Sequence, residues 1–324
     1  MEPLSQNDIE AAAQIVYRAM SPTPQYSWPL LSQEVGCDVW VKHENHAPTG
    51  AFKIRGGLTF IDWLYRTHPD CKGIITATRG NHGQSQAFAA RQYGLRAVIV
   101  VPRGNSTEKN AAMKGFGGEL IIHGQDFDEA RLEAERLAAE MDLFLVPSFH
   151  EQLVRGVATY GLELFQAVRD LDVVFVPIGC GSGICATIMA RDALGLSTKI
   201  IGVVSENAQA CLLSKKAGKL VETDTAKTFA DGVAVRVPVA EAFEIYGPGT
   251  HDIVSVSDRD VADAIRLYYR TTHNLVEGAG AAPLAALMNT ADQWRDKKVG
   301  IILCGQNIDA AWFQTVMSGG IPSV

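Results

Sequence analysis

The chain has 324 residues, a length that predicts one large or two medium domains. Hydrophobic residues make up 47% and charged residues 20%, values normal for a well-packed soluble protein. The formal net charge of −7 and the lack of any Lys/Arg-rich run argue against nucleic acid as a partner. No apolar stretch is long enough to span a bilayer, so no membrane partner is expected. Six cysteines without paired spacing favour reduced thiols in the cytoplasm.

The N-terminal region is predicted to form a helix and then a strand. The spacing of Asn7 and Glu10 predicts a capping box at the start of the first helix, and no signal-peptide pattern is visible there. Residues 37–42 are predicted to form a strand. His43 and His46 follow at a spacing that resembles a metal pair, but no third ligand is evident. We therefore expect a surface position for them and no metal ion.

Lys53 lies in a turn of small residues within the segment 49–57, whose sequence is Thr-Gly-Ala-Phe-Lys-Ile-Arg-Gly-Gly. Phe52 and Ile54 flank it. An ordinary surface lysine needs no such packing, whereas a nucleophilic lysine does, because desolvation favours the neutral amine. The alternative is a solvated lysine at a helix start, and the remaining motifs decide between the two.

A regular alternation of strands and helices follows the lysine segment. Strands are predicted over 73–78, 97–101, 119–122, 143–146, 173–178, 199–204, 252–256 and 299–303, and the first helices over 82–93, 108–114 and 127–141. Continuous apolar strands separated by helices predict parallel sheets covered on both faces. The pattern therefore predicts two α/β units, one inserted in the other.

A loop between a predicted strand and a predicted helix comprises Thr78, Arg79, Gly80, Asn81 and His82. Backbone N–H groups and the helix dipole attract anions at such a place. The loop is therefore a predicted anion site, and a β–α turn without a ligand is the alternative.

A second loop is rich in glycine and follows a buried strand; it comprises Gly179, Cys180, Gly181, Ser182 and Gly183. Alternate glycines let backbone amides close on a phosphate. A dinucleotide loop is the rival interpretation, but Ile184 stands where the third glycine of that pattern belongs. Glu206 ends the next strand, where a ribose-binding acid would lie. A non-catalytic nucleotide-binding protein therefore remains an alternative from a different functional class.

These motifs resemble those of the fold-type II pyridoxal-phosphate (PLP) enzymes, and within that group the threonine dehydratase and serine racemase branch. The resembling segments span most of the chain: residues 49–57, 78–84, 179–184, 229–235, 276–281 and 303–307. The resemblance implies PLP as cofactor, bound between two doubly wound parallel-sheet domains of the tryptophan synthase β type. It also implies a homodimer and the short form of the enzyme, without a C-terminal regulatory domain.

The resemblance further implies how the chain divides. Residues 1–57 together with 147–324 would form the large PLP-binding domain. Residues 58–146 would form a small α/β domain that moves and closes over the substrate.

The resemblance assigns roles to the cofactor-binding residues. Lys53 would attach PLP and then take the substrate's Cα proton as the general base. Asn81 would hydrogen-bond the cofactor's ring oxygen, with Phe52 beside the ring, and residues 179–183 would cradle the phosphate.

Two more residues are expected at the cofactor. Cys304 would meet the pyridine nitrogen. A neutral thiol does not keep that nitrogen protonated, and an unprotonated ring suits concerted β-elimination. A small buried core residue is the alternative for Cys304. Glu277 is a further expected cofactor-site residue, although a helix N-terminal acid explains it about as well.

The substrate-binding residues implied by the resemblance are Thr78, Arg79, Gly80, Asn81, His82 and Phe149. Arg79 departs from the family, which usually carries a serine there, the second base of racemases. Because an arginine stays protonated, racemisation is disfavoured. The Phe-Lys-Ile-Arg-Gly-Gly context disfavours β-replacement.

The implied activity is a PLP-dependent dehydratase of L-β-hydroxy-α-amino acids that releases a 2-oxo acid and ammonia. Threonine and serine are the default substrates, with Arg79 in solvent. Stacking of Arg79 on an aryl ring would instead favour β-phenylserine, and pairing with a second carboxylate would favour 3-hydroxyaspartate. Residues 204–211 lack the acids that hold a divalent ion in serine racemase, so none is predicted there.

Overall fold

The computed structural model describes residues 1–323. The strands of this part of the chain are β1 Gln25–Ser27, β2 Asp38–His43, β3 Gly73–Ala77, β4 Arg96–Val101, β5 Glu119–Ile122, β6 Phe144–Leu145, β7 Val173–Pro177, β8 Lys199–Ser205, β9 Asp252–Val256 and β10 Lys298–Leu303. The α-helices are α1 Gln6–Val16, α2 Pro29–Val35, α3 Lys53–Thr67, α4 Asn81–Gln92, α5 Thr107–Gly115, α6 Phe127–Met141, α7 Glu151–Ala167, α8 Ser182–Ala193, α9 Ala210–Ala217, α10 Ala240–Gly249, α11 Asp258–Thr272, α12 Gly278–Asn289 and α13 Ala310–Met317.

The larger sheet has six strands in the order β1-β2-β10-β7-β8-β9. All neighbouring strands run parallel except β1, which pairs with β2 in the antiparallel sense at one edge. Strands β7, β8 and β10 are apolar except at end residues Lys199, Ser205 and Lys298, as expected for a sheet covered by helices on both faces.

The smaller sheet has four parallel strands in the order β5-β4-β3-β6. Every residue of β3 is buried. One face of this sheet packs on α3 and α4, and the other packs on α6, so each face has its own hydrophobic cluster. The α/β fold with two parallel sheets, predicted from the alternation of apolar strands and helices, is confirmed.

The proposed division of the chain keeps each sheet within one unit. The small sheet uses residues between 73 and 145, and the strands of the large sheet lie outside that interval. Helix α3 joins the two, because it begins at Lys53 and packs both on α4 and on α7. Within residues 1–323, the structure has no helix long and apolar enough to cross a membrane.

Two local predictions about the N-terminal region are wrong. The capping box of α1 is formed by Ser5 and Asp8, because the helix begins one residue before Asn7. His43 is buried rather than on the surface: Trp28 Nε1 donates a hydrogen bond to His43 Nε2 at 2.9 Å, and burial lowers the pKa of His43 to about 4. His46 is exposed, and no group of three metal-binding side chains occurs among residues 1–323.

Candidate active site

Lys53 is the first residue of α3, and its backbone is tied to the end of β10. The Phe52 N–H donates to the Cys304 carbonyl oxygen at 3.0 Å, and Ser85 Oγ donates to the Lys53 carbonyl oxygen at 2.6 Å. The Lys53 side chain is half-buried, with its amine 5.2 Å from the centroid of the Phe52 ring. Among residues 1–323 this amine has neither a hydrogen-bond nor an ion-pair partner, so it is free to bind a ligand.

A network of buried charges is centred on Arg55, which lies on α3 two residues after Lys53. Arg55 is fully buried and donates from Nε to Glu44 Oε2 at 2.7 Å and from Nη1 to Glu163 Oε1 at 2.6 Å. Lys42 Nζ donates to Glu163 Oε2 at 2.5 Å. The charged groups of this network all have partners, and together they anchor the start of α3 to β2 and α7.

The loop between β3 and α4 is shaped by Thr78. Its Oγ1 accepts hydrogen bonds from the backbone N–H groups of Gly80 at 3.0 Å and Gly83 at 3.4 Å. The loop leads directly into the N-terminus of α4, the position where helix N–H groups attract anions. Arg79 is exposed and makes no hydrogen bond or ion pair with any residue in 1–323.

His82 lies on the first turn of α4 and is buried. Its Nε2 atom has no hydrogen-bond partner. Burial, assisted by the positive charge of Lys53, lowers the pKa of His82 to about 3, so the ring is neutral at neutral pH. A buried polar atom without a partner is costly, and such atoms are enriched where a ligand completes the hydrogen bonding.

Asn81 connects the small sheet's loop to the large unit. Its Nδ2 donates to Glu277 Oε1 at 2.7 Å, and its Oδ1 accepts from Asn307 Nδ2 at 2.7 Å. Asn307 Nδ2 also donates to the Thr49 carbonyl oxygen at 2.9 Å, just before the lysine turn. The side chains of Asn81 and Glu277, both expected at the cofactor, are therefore in direct contact.

Glu277 is fully buried, and its second carboxylate oxygen, Oε2, has no hydrogen-bond partner. Burial raises its pKa to about 7; Lys109 and Lys53 lower the pKa, and Asp231 raises it. Lys109 Nζ donates to Asp231 Oδ2 at 2.5 Å. The carboxyl group therefore titrates near neutral pH, which is the range where a site residue can exchange a proton.

Cys304 lies at the carboxyl end of β10, near the carboxyl group of Glu277. It is buried, and its pKa is raised well above the usual range, first by burial and then by the charge of Glu277. Its thiol is therefore neutral, as expected for the position opposite a ring nitrogen.

The glycine-rich loop, residues 179–183, follows β7 and turns into α8. Gly181 has φ +102° and faces Ala242 so closely that a Cβ atom would lie 2.6 Å from the Ala242 Cβ. Only glycine fits this left-handed position. Phe149, expected among the substrate residues, also lies near Gly181, with a ring carbon 3.8 Å from the same Cβ position.

The glycine-rich loop and the lysine turn meet through Phe52. A Cβ atom at Gly183 would lie 3.6 Å from the tip of the Phe52 ring. Ser182 and Gly183 are buried, whereas Cys180 is half-buried. The structure thus brings Lys53, Phe52, Asn81, Glu277 and Cys304 around one place, with residues 179–183 along one side of it.

Three residues of the site were not singled out from the sequence. Asn307 and Asp231 lie inside motif segments, but nothing in those segments marked them. Lys109 lies in an ordinary amphipathic helix and carried no signal at all. Asn307 contacts Asn81, Lys109 packs on Gly80, and Asp231 pairs with Lys109; single-sequence patterns do not report such distant contacts.

A surface groove of about 860 Å³ lies elsewhere, at the amino ends of the large sheet's strands, and its lining includes Asp38, Asp172 and Lys298. The predicted site is at the opposite, carboxyl ends, where α/β proteins hold their ligands. The candidate site lies between the two sheets, an arrangement typical of α/β enzymes that act on small molecules.

Known proteins give the family. A model described as pyridoxal-phosphate dependent enzyme matches residues 16–305. The L-threonine ammonia-lyase of Thermotoga maritima is 32% identical over 315 residues, which are 97% of this chain and 78% of that protein. The catabolic L-threonine dehydratase TdcB of Staphylococcus aureus is 32% identical, with 98% of this chain and 93% of that protein covered. The structure of maize serine racemase superimposes with a TM-score of 0.90 at 26% identity, covering 98% of each chain.

The chain belongs to the family of pyridoxal-phosphate-dependent enzymes, in the threonine dehydratase and serine racemase branch of fold-type II. Its cofactor is PLP. The described residues fit that group: the amine of Lys53 has no partner, and buried atoms of His82 and Glu277 lack hydrogen bonds. The glycine-rich loop leads directly into the N-terminus of α8, where helix N–H groups attract a phosphate.

Proposed function

We propose that this protein is a dehydratase of L-β-hydroxy-α-amino acids, which converts them to a 2-oxo acid and ammonia, with threonine and serine as the first substrates. The observation that carries the proposal is the partnerless amine of Lys53, set beside the contact between Asn81 and Glu277. The activities named for the relatives from Thermotoga maritima and Staphylococcus aureus support the same reaction class.

When bound, PLP supplies an aldehyde that bonds to amino groups and a ring that withdraws electrons from the substrate's Cα. Lys53 would hold the cofactor and, once released from it, accept the Cα proton at Nζ. The N–H groups of Arg79, Asn81 and His82, which make no hydrogen bond among residues 1–323, would bind the substrate carboxylate, with the dipole of α4 behind them. Cys304 would offer a neutral thiol to the ring nitrogen and leave that nitrogen unprotonated, which favours elimination over reactions that need a long-lived carbanion.

Racemisation is the less favoured alternative. A racemase needs a second base on the face opposite Lys53, and Arg79 is the residue at the matching position. Its guanidinium stays protonated, and its side chain is exposed. We therefore expect L-serine to be eliminated far faster than it is converted to D-serine.

The exposed, unpaired guanidinium of Arg79 favours a second pair of substrates, β-phenylserine and 3-hydroxyaspartate. It is free to stack on an aryl ring or to form a bidentate pair with a second carboxylate. Phe149, the second residue expected to recognise an aryl group, lies against Gly181 in the glycine-rich loop.

The test is 2-oxo acid and ammonia release by the PLP-loaded protein from L-threonine, L-serine, both diastereomers of phenylserine, and 3-hydroxyaspartate. Turnover that is lost in Lys53→Ala supports the dehydratase. Arg79→Ser is the variant for specificity: if Arg79 binds the substrate's β-substituent, this change lowers kcat/KM for one substrate and spares threonine. No turnover of any substrate by a yellow, PLP-loaded protein would overturn the reaction class.

We also propose that the protein is a homodimer that works in the cytoplasm. Its six cysteines are unpaired, which suits a reducing compartment. Sedimentation analysis of the purified protein would give its mass, and fractionation of the source cells its location. A monomer of 35.0 kDa would contradict the first part.

A further inference from the structure

Helix α5 of the small unit reaches across to the large unit near the active site. The Lys109 side chain is 7% exposed, and its Nζ donates to Asp231 Oδ2 at 2.5 Å. Two contacts beside it are more exposed. Ser106 Oγ donates to Asp309 Oδ1 at 2.5 Å, and the backbone N–H of Ala310 donates to Glu108 Oε1 at 3.0 Å. The ion pair of Lys109 is therefore the buried part of this interface.

Lys109 also supports the loop that would bind the substrate carboxylate. A Cβ atom at Gly80 would lie 2.7 Å from Lys109 Cδ, so the lysine's aliphatic stem fills the space that a side chain on the loop would need. A displacement of Lys109 would therefore leave the loop unsupported at the residue just before α4.

The same pair faces Glu277, with opposite electrostatic effects. The ammonium group of Lys109 favours the charged form of Glu277, and the carboxylate of Asp231 disfavours it. The other groups that face Glu277 are Lys53, which favours the charged form, and Cys304, whose thiol stays neutral. For Lys109 itself, attraction to Asp231 and Glu277 outweighs burial, so its pKa is raised.

We propose that Lys109 and Asp231 form a closing pair: they are positioning residues whose ion pair holds the small unit on the large one, seats the Gly80 loop, and sets the charge of Glu277. The buried carboxylate of Glu277, the partly exposed carboxylate of Asp231 and the buried ammonium group of Lys109 come together where the units meet. Because the ammonium group of Lys109 pairs with Asp231 and also attracts the charge of Glu277, closure and the ionisation of Glu277 depend on each other. The consequence for catalysis rests on the proposed function, whereas the contacts do not.

The two variants Lys109→Met and Asp231→Asn both break the pair but act on Glu277 in opposite directions. Loss of the ammonium charge raises the pKa of Glu277 above about 7, and loss of the Asp231 charge lowers it. The measurement is a pH titration by NMR of full-length protein labelled with ¹³C at the glutamate carboxyl carbons, with and without PLP. The Glu277 signal is assigned by its loss in Glu277→Gln.

Hydrogen–deuterium exchange gives a second readout that needs no activity. Both variants should increase exchange in α5 and in residues 78–83, because the pair no longer holds the units together. Arg236→Gln is the matched control, since it removes an exposed ion pair with Asp128 that also joins the two units. That control should leave exchange in these segments unchanged, because exposed pairs contribute little.

In turnover assays, each single variant should lose about 10-fold to 100-fold in kcat/KM, the size expected when a loop is misplaced by about 1 Å. The double variant should lose no more than the worse single variant, because the two residues act as one unit. Arg236→Gln should stay within about twofold of the unaltered enzyme.

Shifts of the Glu277 pKa in the same direction in both variants, or exchange and turnover equal to those of Arg236→Gln, would overturn the closing pair. If the unaltered enzyme turns over no substrate of the panel while the opposite pKa shifts and the increased exchange are observed, the closing pair stands and the proposed function fails.

Discussion

Two lysines on either side of the same turn have opposite surroundings. Lys42 is fully buried and bound to Glu163, and Arg55 completes a network in which the charged groups are paired. Lys53 is half-buried and has no partner among residues 1–323, and its neighbours His82 and Glu277 carry buried atoms without hydrogen bonds. A satisfied polar network holds a structure together, whereas an unsatisfied one is completed by a ligand. The two sets of charges therefore have different tasks, although Lys42 and Lys53 are close in the chain.

The largest expected effect is on catalysis. Lys53→Ala should abolish 2-oxo acid release from every substrate, because no other group in the site offers a free amine. Its free energy of unfolding should change by no more than about 0.5 kcal/mol, as for substitutions away from packed or paired features. Assays of activity and urea unfolding on the same preparation check both parts. A large loss of stability would remove the contrast between the two lysines.

The next effect is on stability. Arg55→Met should destabilise the protein by roughly 3–5 kcal/mol, because it leaves the buried carboxylate of Glu44 without its cation and Glu163 with Lys42 alone. Urea unfolding of the cofactor-free protein measures the change, with Lys53→Met as the matched control on the same helix. Equal losses in the two variants would mean that the network is no more structural than the site.

A third prediction concerns pH and Glu277. Burial raises its pKa from 4.5 to about 7 in the folded protein, so the folded state holds this proton more tightly than the unfolded state. The contribution of this group to stability is therefore complete below about pH 4.5 and is lost as the pH rises through 7.

Glu277→Gln removes this titration. Its unfolding free energy should lack that fall between pH 4.5 and 7 and exceed that of the unaltered protein above pH 7. Urea unfolding across this range, without cofactor, is the measurement. If the unfolding free energies of the two proteins depend on pH in parallel, Glu277 does not titrate in this range. PLP affinity measured on both proteins would show whether the variant that is more stable without cofactor binds PLP more weakly.

The smallest expected effect is on stability and comes from removing an exposed ion pair. Arg96 and Glu119 form a bidentate ion pair on the surface of the small sheet, between β4 and β5. Arg96→Gln should leave the unfolding free energy nearly unchanged, because water screens exposed charges. If Arg96→Gln lowered the unfolding free energy as much as Arg55→Met, ion pairing alone, without burial, would account for the stability contributed by the Arg55 network.

Much of the fold could be predicted from the sequence, because its signals are local. The apolar runs at 119–122 and 252–256 and the helical period at 127–141 coincide with β5, β9 and α6. The cap of α1 was misplaced because Asn7 and Glu10 offer the same spacing as Ser5 and Asp8, and only the tertiary structure selects between them.

The site could be predicted in part. The motifs that surround Lys53 carry their own chemistry, in the glycine-rich loop and in the loop that precedes α4. The ion pair between Arg55 and Glu163 joins residues 108 positions apart, and that between Lys109 and Asp231 joins residues 122 apart. No local pattern specifies such pairs. For the same reason His43, polar and in a predicted loop, was expected on the surface although Trp28 holds it in the core.

The central claim is that the cofactor binds where polar groups are left without partners. Borohydride reduction of the PLP-loaded protein, followed by peptide mapping, tests it most directly, because reduction fixes the cofactor on the lysine that holds it. We expect one labelled peptide, with the label on Lys53 and none on Lys42. A label on another lysine, or a protein that binds PLP and yields no labelled peptide, would contradict it.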